Sequence, residues 1–300
     1  MLTFQAAADC KAFGMNILTE SRRYPLPHGI TVTADVGGDP RAPAVILLHG
    51  GGQTRHSWGA AVQEMLAQGY HVINLDARGH GESDWAADAD YSLEAQATDL
   101  KAMIATLPAQ PALVGASMGG AAALFAVGNT PASIARALVL VDVVPRVETQ
   151  GAEKIGAFMR ARPDGFATLD EAADAVAAYY PQRPRPRDPS GLMKNLRLRD
   201  DGRLHWHWDP RFTDSPRRME PPQFAAALCS AAQRVRIPTL LVRGLQSDIV
   251  SAAGVAELRE HLAGLEVFDV AGAGHMVVGD KNDAFNQGVI GFLRRHHPLM

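Results

Sequence analysis

The chain has 300 residues, 47% of them apolar and 20% charged, with a formal net charge of -3. That length and balance describe a globular protein able to bury a large core, as one α/β domain or a core with an insertion, and not a disordered or fibrous chain. The lack of a basic excess excludes nucleic acid as the principal partner, and two distant cysteines, Cys10 and Cys229, form neither a disulfide framework nor a CxxC zinc or redox motif.

Residues 1–23 read as an N-terminal extension. They contain no basic stretch leading into a long apolar run, and no later segment has the apolar length of a membrane span, so a cytoplasmic location with no membrane partner is expected. Met15 offers an alternative start. From Gly29, "GITVTADVGG" alternates like a strand, and "APAVILLHGGG" is a continuous apolar run of the kind found in a strand buried on both faces. A helix follows through Trp58, Val62, Met65 and Leu66, stopped at Gly69; "HVINLDARGHGES" then gives a strand and a loop. Ser92 is placed to cap a helix with Leu93, Ala97, Leu100 and Ile104 on one face. "PALVGASMGGAAALFAVGN" reads as strand, tight turn, helix, and "ARALVLVDVVP" as another apolar strand.

The alternation of strand and helix implies a mostly parallel central sheet flanked by helices. It breaks over residues 146–233, where helical stretches near Ile155 and Leu169 lead into the proline- and arginine-rich "YYPQRPRPRDPSG" and then "DGRLHWHWDPRF". The pattern resumes in "RIPTLLVRGLQSDIV", "GVAELREHL", "LEVFDVAGAGH" and a terminal helix through Ala284 to Arg295, with His296 and His297 as an exposed tail. Residues 24–145 and 234–300 thus form the core, and 146–233 an inserted, mainly helical lid over the strand ends, where open α/β sheets place their ligands.

Within this frame "GASMG" matches G-x-S-x-G, a turn that holds a serine hydroxyl above the sheet. An alcohol needs a base within hydrogen-bond reach to act as a nucleophile. His275, in "AGAGHMV" after the last core strand, is the candidate base for Ser117, because imidazole takes up and returns a proton near neutrality. An acid must then hold its tautomer. Asp248, in the loop after "TLLVRG", is preferred for the serine, acid, histidine chain order; Asp142, ending "LVLVD", is its competitor.

"LLHGGG" at 47–52, "DARGHGES" at 76–83, "GASMGG" at 115–120, "GLQSD" at 244–248 and "GAGH" at 272–275, in this order, resemble a serine-dependent α/β-hydrolase with a helical lid, of the esterase or lactonase kind. The resemblance spans most of the core and weakens in the lid and before residue 24. It implies the α/β-hydrolase fold and an oxyanion hole formed by the backbone N–H of Met118 and of Gly51, with Gly52 as the alternative. It also implies that Asp76, Arg78 and His80 tie a glycine-rich loop together.

The expected reaction is hydrolysis of a carboxylic ester or lactone, a small-molecule substrate, through an acyl-serine, without cofactor or metal. Alternatives on the same frame are carbon-carbon bond hydrolysis of dienoic keto acids, with a lid arginine on the carboxylate, a cofactor-free perhydrolase or haloperoxidase-like activity, and a noncatalytic small-molecule receptor. His205 and His207 alternate on a short strand but lack a third metal ligand. Trp206 and Trp208 fit either a pocket wall or a lid core, and Arg183, Arg185 and Arg187 an exposed, proline-stiffened loop.

Overall fold

The computed structural model describes residues 18–181, 184–280 and 282–299. Cys10, Met15, Arg183 and most of the 1–23 extension lie outside the described residues. Cys229 is a free thiol. No helix among the described residues is long and apolar enough to cross a membrane.

The strands are β1 (Glu20–Pro25), β2 (Thr31–Gly37), β3 (Ala44–Leu48), β4 (His71–Leu75), β5 (Ala112–Ala116), β6 (Ala137–Val141), β7 (Leu196–Leu198), β8 (Leu204–Trp206), β9 (Thr239–Gly244) and β10 (Glu266–Val270). Eight of them form one sheet in the order β1-β2-β4-β3-β5-β6-β9-β10, while β7 and β8 pair separately. β1 and β2 run antiparallel, as do β2 and β4, and the remaining neighbours are parallel.

The helices are α1 (Gly59–Ala67), α2 (Leu93–Ile104), α3 (Met118–Gly128), α4 (Thr149–Arg160), α5 (Leu169–Tyr179), α6 (Pro221–Ala232), α7 (Ala252–His261), α8 (Val277–Asp280) and α9 (Asn282–His296). They cover both sheet faces, which explains the unbroken apolar strands. In β3, Ile46 and Leu48 enter the core beneath α2, α3 and α6, while Val45 and Leu47 enter the one beneath α1 and α9, as the two-residue period of a strand requires. Ser92 caps α2, its Oγ accepting from Ala95 N–H at 3.2 Å.

Three features depart from the sequence expectations. β1 begins inside the stretch set apart as an extension; its residues "ESRRYP" are almost all exposed on a sheet edge, so no apolar alternation betrays the strand. His297 is buried, with a ring nitrogen 3.0 Å from Ala44 O and its own carbonyl accepting from Tyr70 Oη at 3.2 Å; a short C-terminal tail folds back onto the sheet. Within 146–233, α6 packs directly on α3: a side chain at Gly128 would run into the backbone of Ala231, and Leu228 and Ala232 belong to the main core. The rest of that segment has a small core of its own, with Met159, Phe166, Ala172, Leu196, Trp206 and Trp208 as its buried members. Trp206 and Trp208 stack there with ring centres 5.1 Å apart, which makes them part of that core and not of a pocket wall.

Candidate active site

β5 ends at Ala116 and α3 starts at Met118, leaving Ser117 alone to turn the chain. It does so at φ 47°, ψ -113°, a left-handed φ that non-glycine residues seldom adopt and that is held here by the elements on either side. Ser117 N–H donates to Val141 O at 3.0 Å, fastening the turn to the end of β6. The flanking glycines are required by close backbone approach: a Cβ on Gly119 would lie 2.5 Å from Leu48 O and 2.7 Å from His49 O, and one on Gly115 would lie 2.6 Å from Gly119.

Asp142 follows β6 at φ 50° and is fully buried. Its carboxylate accepts from Gly244 N–H at 3.1 Å, from Ser247 Oγ at 2.5 Å and from His275 Nδ1 at 2.7 Å. A carboxylate can only accept, so the imidazole carries its proton on Nδ1 and leaves Nε2 as a base. The His275 loop sits this close because residue 244 is glycine: a Cβ there would collide with Ala273 O, 2.6 Å away.

The expectation that Asp248 stands beside His275 is therefore corrected. The Asp248 side chain is about half exposed and makes a 3.5 Å ion pair with Lys154 of α4. The loop after β9 does reach the site, but through Ser247, whose hydroxyl holds Asp142 in place. The sequence signal for Asp142 was its position directly after a fully apolar strand; what it could not show was that Asp248 points outward.

The glycines at 50–52 divide their N–H groups. Gly50 N–H donates to Gln53 Oε1 at 3.1 Å and Gly52 N–H to His80 Nε2 at 3.1 Å. Gly51 N–H has no such bond among the described residues, and Met118 N–H is one of the unfilled donors that open any helix. Gly51, Met118, Ser117 and His275 all border one cavity of about 480 Å³, walled elsewhere mostly by apolar side chains such as Val143, Ile155, Phe158, Met159 and Phe224.

Three buried histidines back the glycine loop. His49 Nε2 accepts from Ala77 N–H at 3.0 Å, His80 Nε2 from Gly52, and His207 Nδ1 from Gly81 N–H at 2.7 Å. A ring nitrogen that accepts must be unprotonated, and burial acts the same way: it pushes His80 down to about 3, helped by His49, and pushes His207 well below the ordinary imidazole value. His49 is lowered by burial against the opposing pull of Asp76. Asp76 accepts from the N–H groups of Arg55, at 2.7 Å, and Glu82, at 2.9 Å, and Arg78 pairs with Asp99 at 2.5 Å. Loop 76–83 is thus a scaffold, as the resemblance implied. His205 turns away to Asp201, at 2.8 Å, and shares no ligand set with His207.

A family model described as alpha/beta hydrolase fold matches residues 43–282. The 3-hydroxybutyrate-oligomer hydrolase of Cupriavidus necator is 31% identical over 253 residues, 79% of this chain and 85% of the relative. An esterase of Mycobacterium tuberculosis is 30% identical over 262 residues, 84% of this chain and 83% of the relative. A structure of that esterase superposes with a TM-score of 0.76 at 29% identity, covering 97% of this chain and 99% of the other. The structure of E-2-(acetamidomethylene)succinate hydrolase superposes with a TM-score of 0.81, covering 92% of this chain and 99% of the other, and at 24% identity speaks to the fold alone. The match of the family model over most of the chain, with relatives 30% and 31% identical over most of their own length, places the chain in the alpha/beta hydrolase family.

Proposed function

We propose that this protein hydrolyses carboxylic esters through an acyl-serine intermediate. The observation that carries the reading is the 2.7 Å contact between His275 Nδ1 and buried Asp142, at the wall of the cavity that Ser117 also borders. The esterase and the oligomer hydrolase among the relatives support the same chemistry. Ser117 Oγ attacks the ester carbonyl while its proton passes to His275 Nε2, and Asp142 stabilises the imidazolium. Charge builds on the carbonyl oxygen, where the N–H groups of Gly51 and Met118 are free to donate; one well-aimed donor of this kind lowers the barrier by about 3 kcal/mol. The C–O bond then breaks, His275 returns the proton to the departing alkoxide, and a water repeats the cycle on the acyl-serine. The lid is the part of the inserted segment before α6, where Phe158, Met159, Tyr179 and Phe212 supply apolar cavity wall against the acyl chain.

Turnover of a p-nitrophenyl ester and labelling by a fluorophosphonate test the reading together. Wild type is expected to do both, and Ser117→Ala to lose both, with turnover down by ~1000-fold or more. Wild-type turnover by Ser117→Ala would remove the serine from the reaction, and tight ligand binding without labelling or product would make the protein a receptor.

A further inference from the structure

Among the described residues, Arg218 is the one arginine or lysine bordering the cavity that holds Ser117 and His275, and no aspartate or glutamate borders it. Nearby arginines are neutralised: Arg211 pairs with Asp209 at 2.7 Å, and Arg217 with Asp88 at 3.2 Å and with Asp90. Arg218 has no such carboxylate among the described residues. Its Nη1 donates to Thr213 O at 2.9 Å, which fixes the side chain and leaves the other guanidinium N–H groups open. The side chain is exposed as well as cavity-lining, which puts it where the cavity opens, beside the apolar surfaces of Phe212, Met219 and Phe224.

A ligand filling this opening strips water from the guanidinium. A neutral chain leaves that cation poorly solvated, whereas a carboxylate replaces the lost water with paired, charge-assisted hydrogen bonds. We infer that Arg218 is a specificity-determining residue that binds a carboxylate carried by the substrate, so that the preferred substrates are esters with a free acid group remote from the scissile bond. This rests on the esterase reading and adds the chemical class of the substrate to it. Arg185 of the proline-rich loop is occupied by Asp170 and Asp174, each at 2.6 Å, and neither it nor Arg187 borders the cavity.

The test compares matched substrates on wild type, Arg218→Gln and Arg218→Lys. On the acyl side, the mono-p-nitrophenyl esters of adipic and suberic acid are set against p-nitrophenyl hexanoate and octanoate; on the alcohol side, 4-butanoyloxybenzoate is set against 4-butanoyloxytoluene. In at least one set, wild type is expected to favour the acid by ~10-fold or more in kcat/KM. Arg218→Gln should erase that preference, mainly through KM, while turning over the neutral esters within about twofold of wild type; Arg218→Lys should keep part of it. Normal neutral-ester turnover also shows that the variant is folded. Equal or lower wild-type turnover of the acids in both sets, or equal losses on acid and neutral esters in Arg218→Gln, would overturn the assignment. Persistence of all turnover in Ser117→Ala would instead overturn the esterase reading itself.

Discussion

At the scale of single residues, two aspartates that the sequence offers as candidates meet opposite surroundings in the fold. Asp142 is fully buried under three donors, and Asp248 is half exposed beside a lysine. Asp142→Asn keeps the shape but removes the charge that stabilises the imidazolium and reverses the proton preference at Nδ1, so kcat should fall by ~1000-fold or more. Asp248→Asn should leave kcat within about twofold, because a surface ion pair contributes little. Steady-state rates on one activated ester decide both. His80→Phe, which removes the acceptor for Gly52 N–H, should loosen the glycine loop and, on the esterase reading, lower kcat by ~10-fold or more with KM little changed. Ser117 and His275 were legible because each follows a strand in a small-residue turn. The acid was not, since each candidate follows a core strand and only the fold shows Asp142 buried against the His275 ring and the Ser247 hydroxyl.

At the scale of elements, most of the core could be read from period and punctuation. β3, β5 and β6 are unbroken apolar runs, and α1 and α2 show their buried stripes. β1 could not be read, because an edge strand in contact with water has no need of apolar alternation. Nor could the end of the inserted segment, since α6 has the same alanine-rich composition whether it packs on a lid or on α3. The tight turn between β5 and α3 carries its own prediction. A methyl at residue 119 would press on two carbonyl oxygens of the strand end that leads into the glycine loop, so Gly119→Ala must push α3 away from β3. The variant should lose about 1–3 kcal/mol of stability by urea denaturation, and its activity should fall at temperatures where it is still folded.

At the scale of the whole molecule, acid sensitivity follows from the neutral histidines behind the glycine loop. In the unfolded chain an imidazole takes up its proton near pH 6.5. In the fold His80 does so only near 3, and His49 and His207 are displaced in the same direction. Between those limits the unfolded state binds more protons, so stability is complete above about pH 6.5 and declines as the pH falls toward 3. The urea midpoint should therefore drop between pH 6.5 and 5, above the ordinary carboxylate range. The slope should exceed the ~1.4 kcal/mol per pH unit that one proton gives; a flat profile would mean that these rings take up protons in the fold as they do in the unfolded chain.

The backbone anchors of Ser117 and Asp142 have a mechanical consequence. Ser117 N–H is tied to Val141 O at 3.0 Å, and Asp142 N–H to Val242 O at 2.8 Å, so each residue is stitched to the strand next to its own. Thermal softening has no partial route for parting Ser117 from Asp142: the interior of the sheet must tear first. On a heating curve, fluorophosphonate reactivity should vanish together with the far-ultraviolet signal of the strands, even where the stacked indoles of Trp206 and Trp208, housed in their own cluster, have already changed their emission.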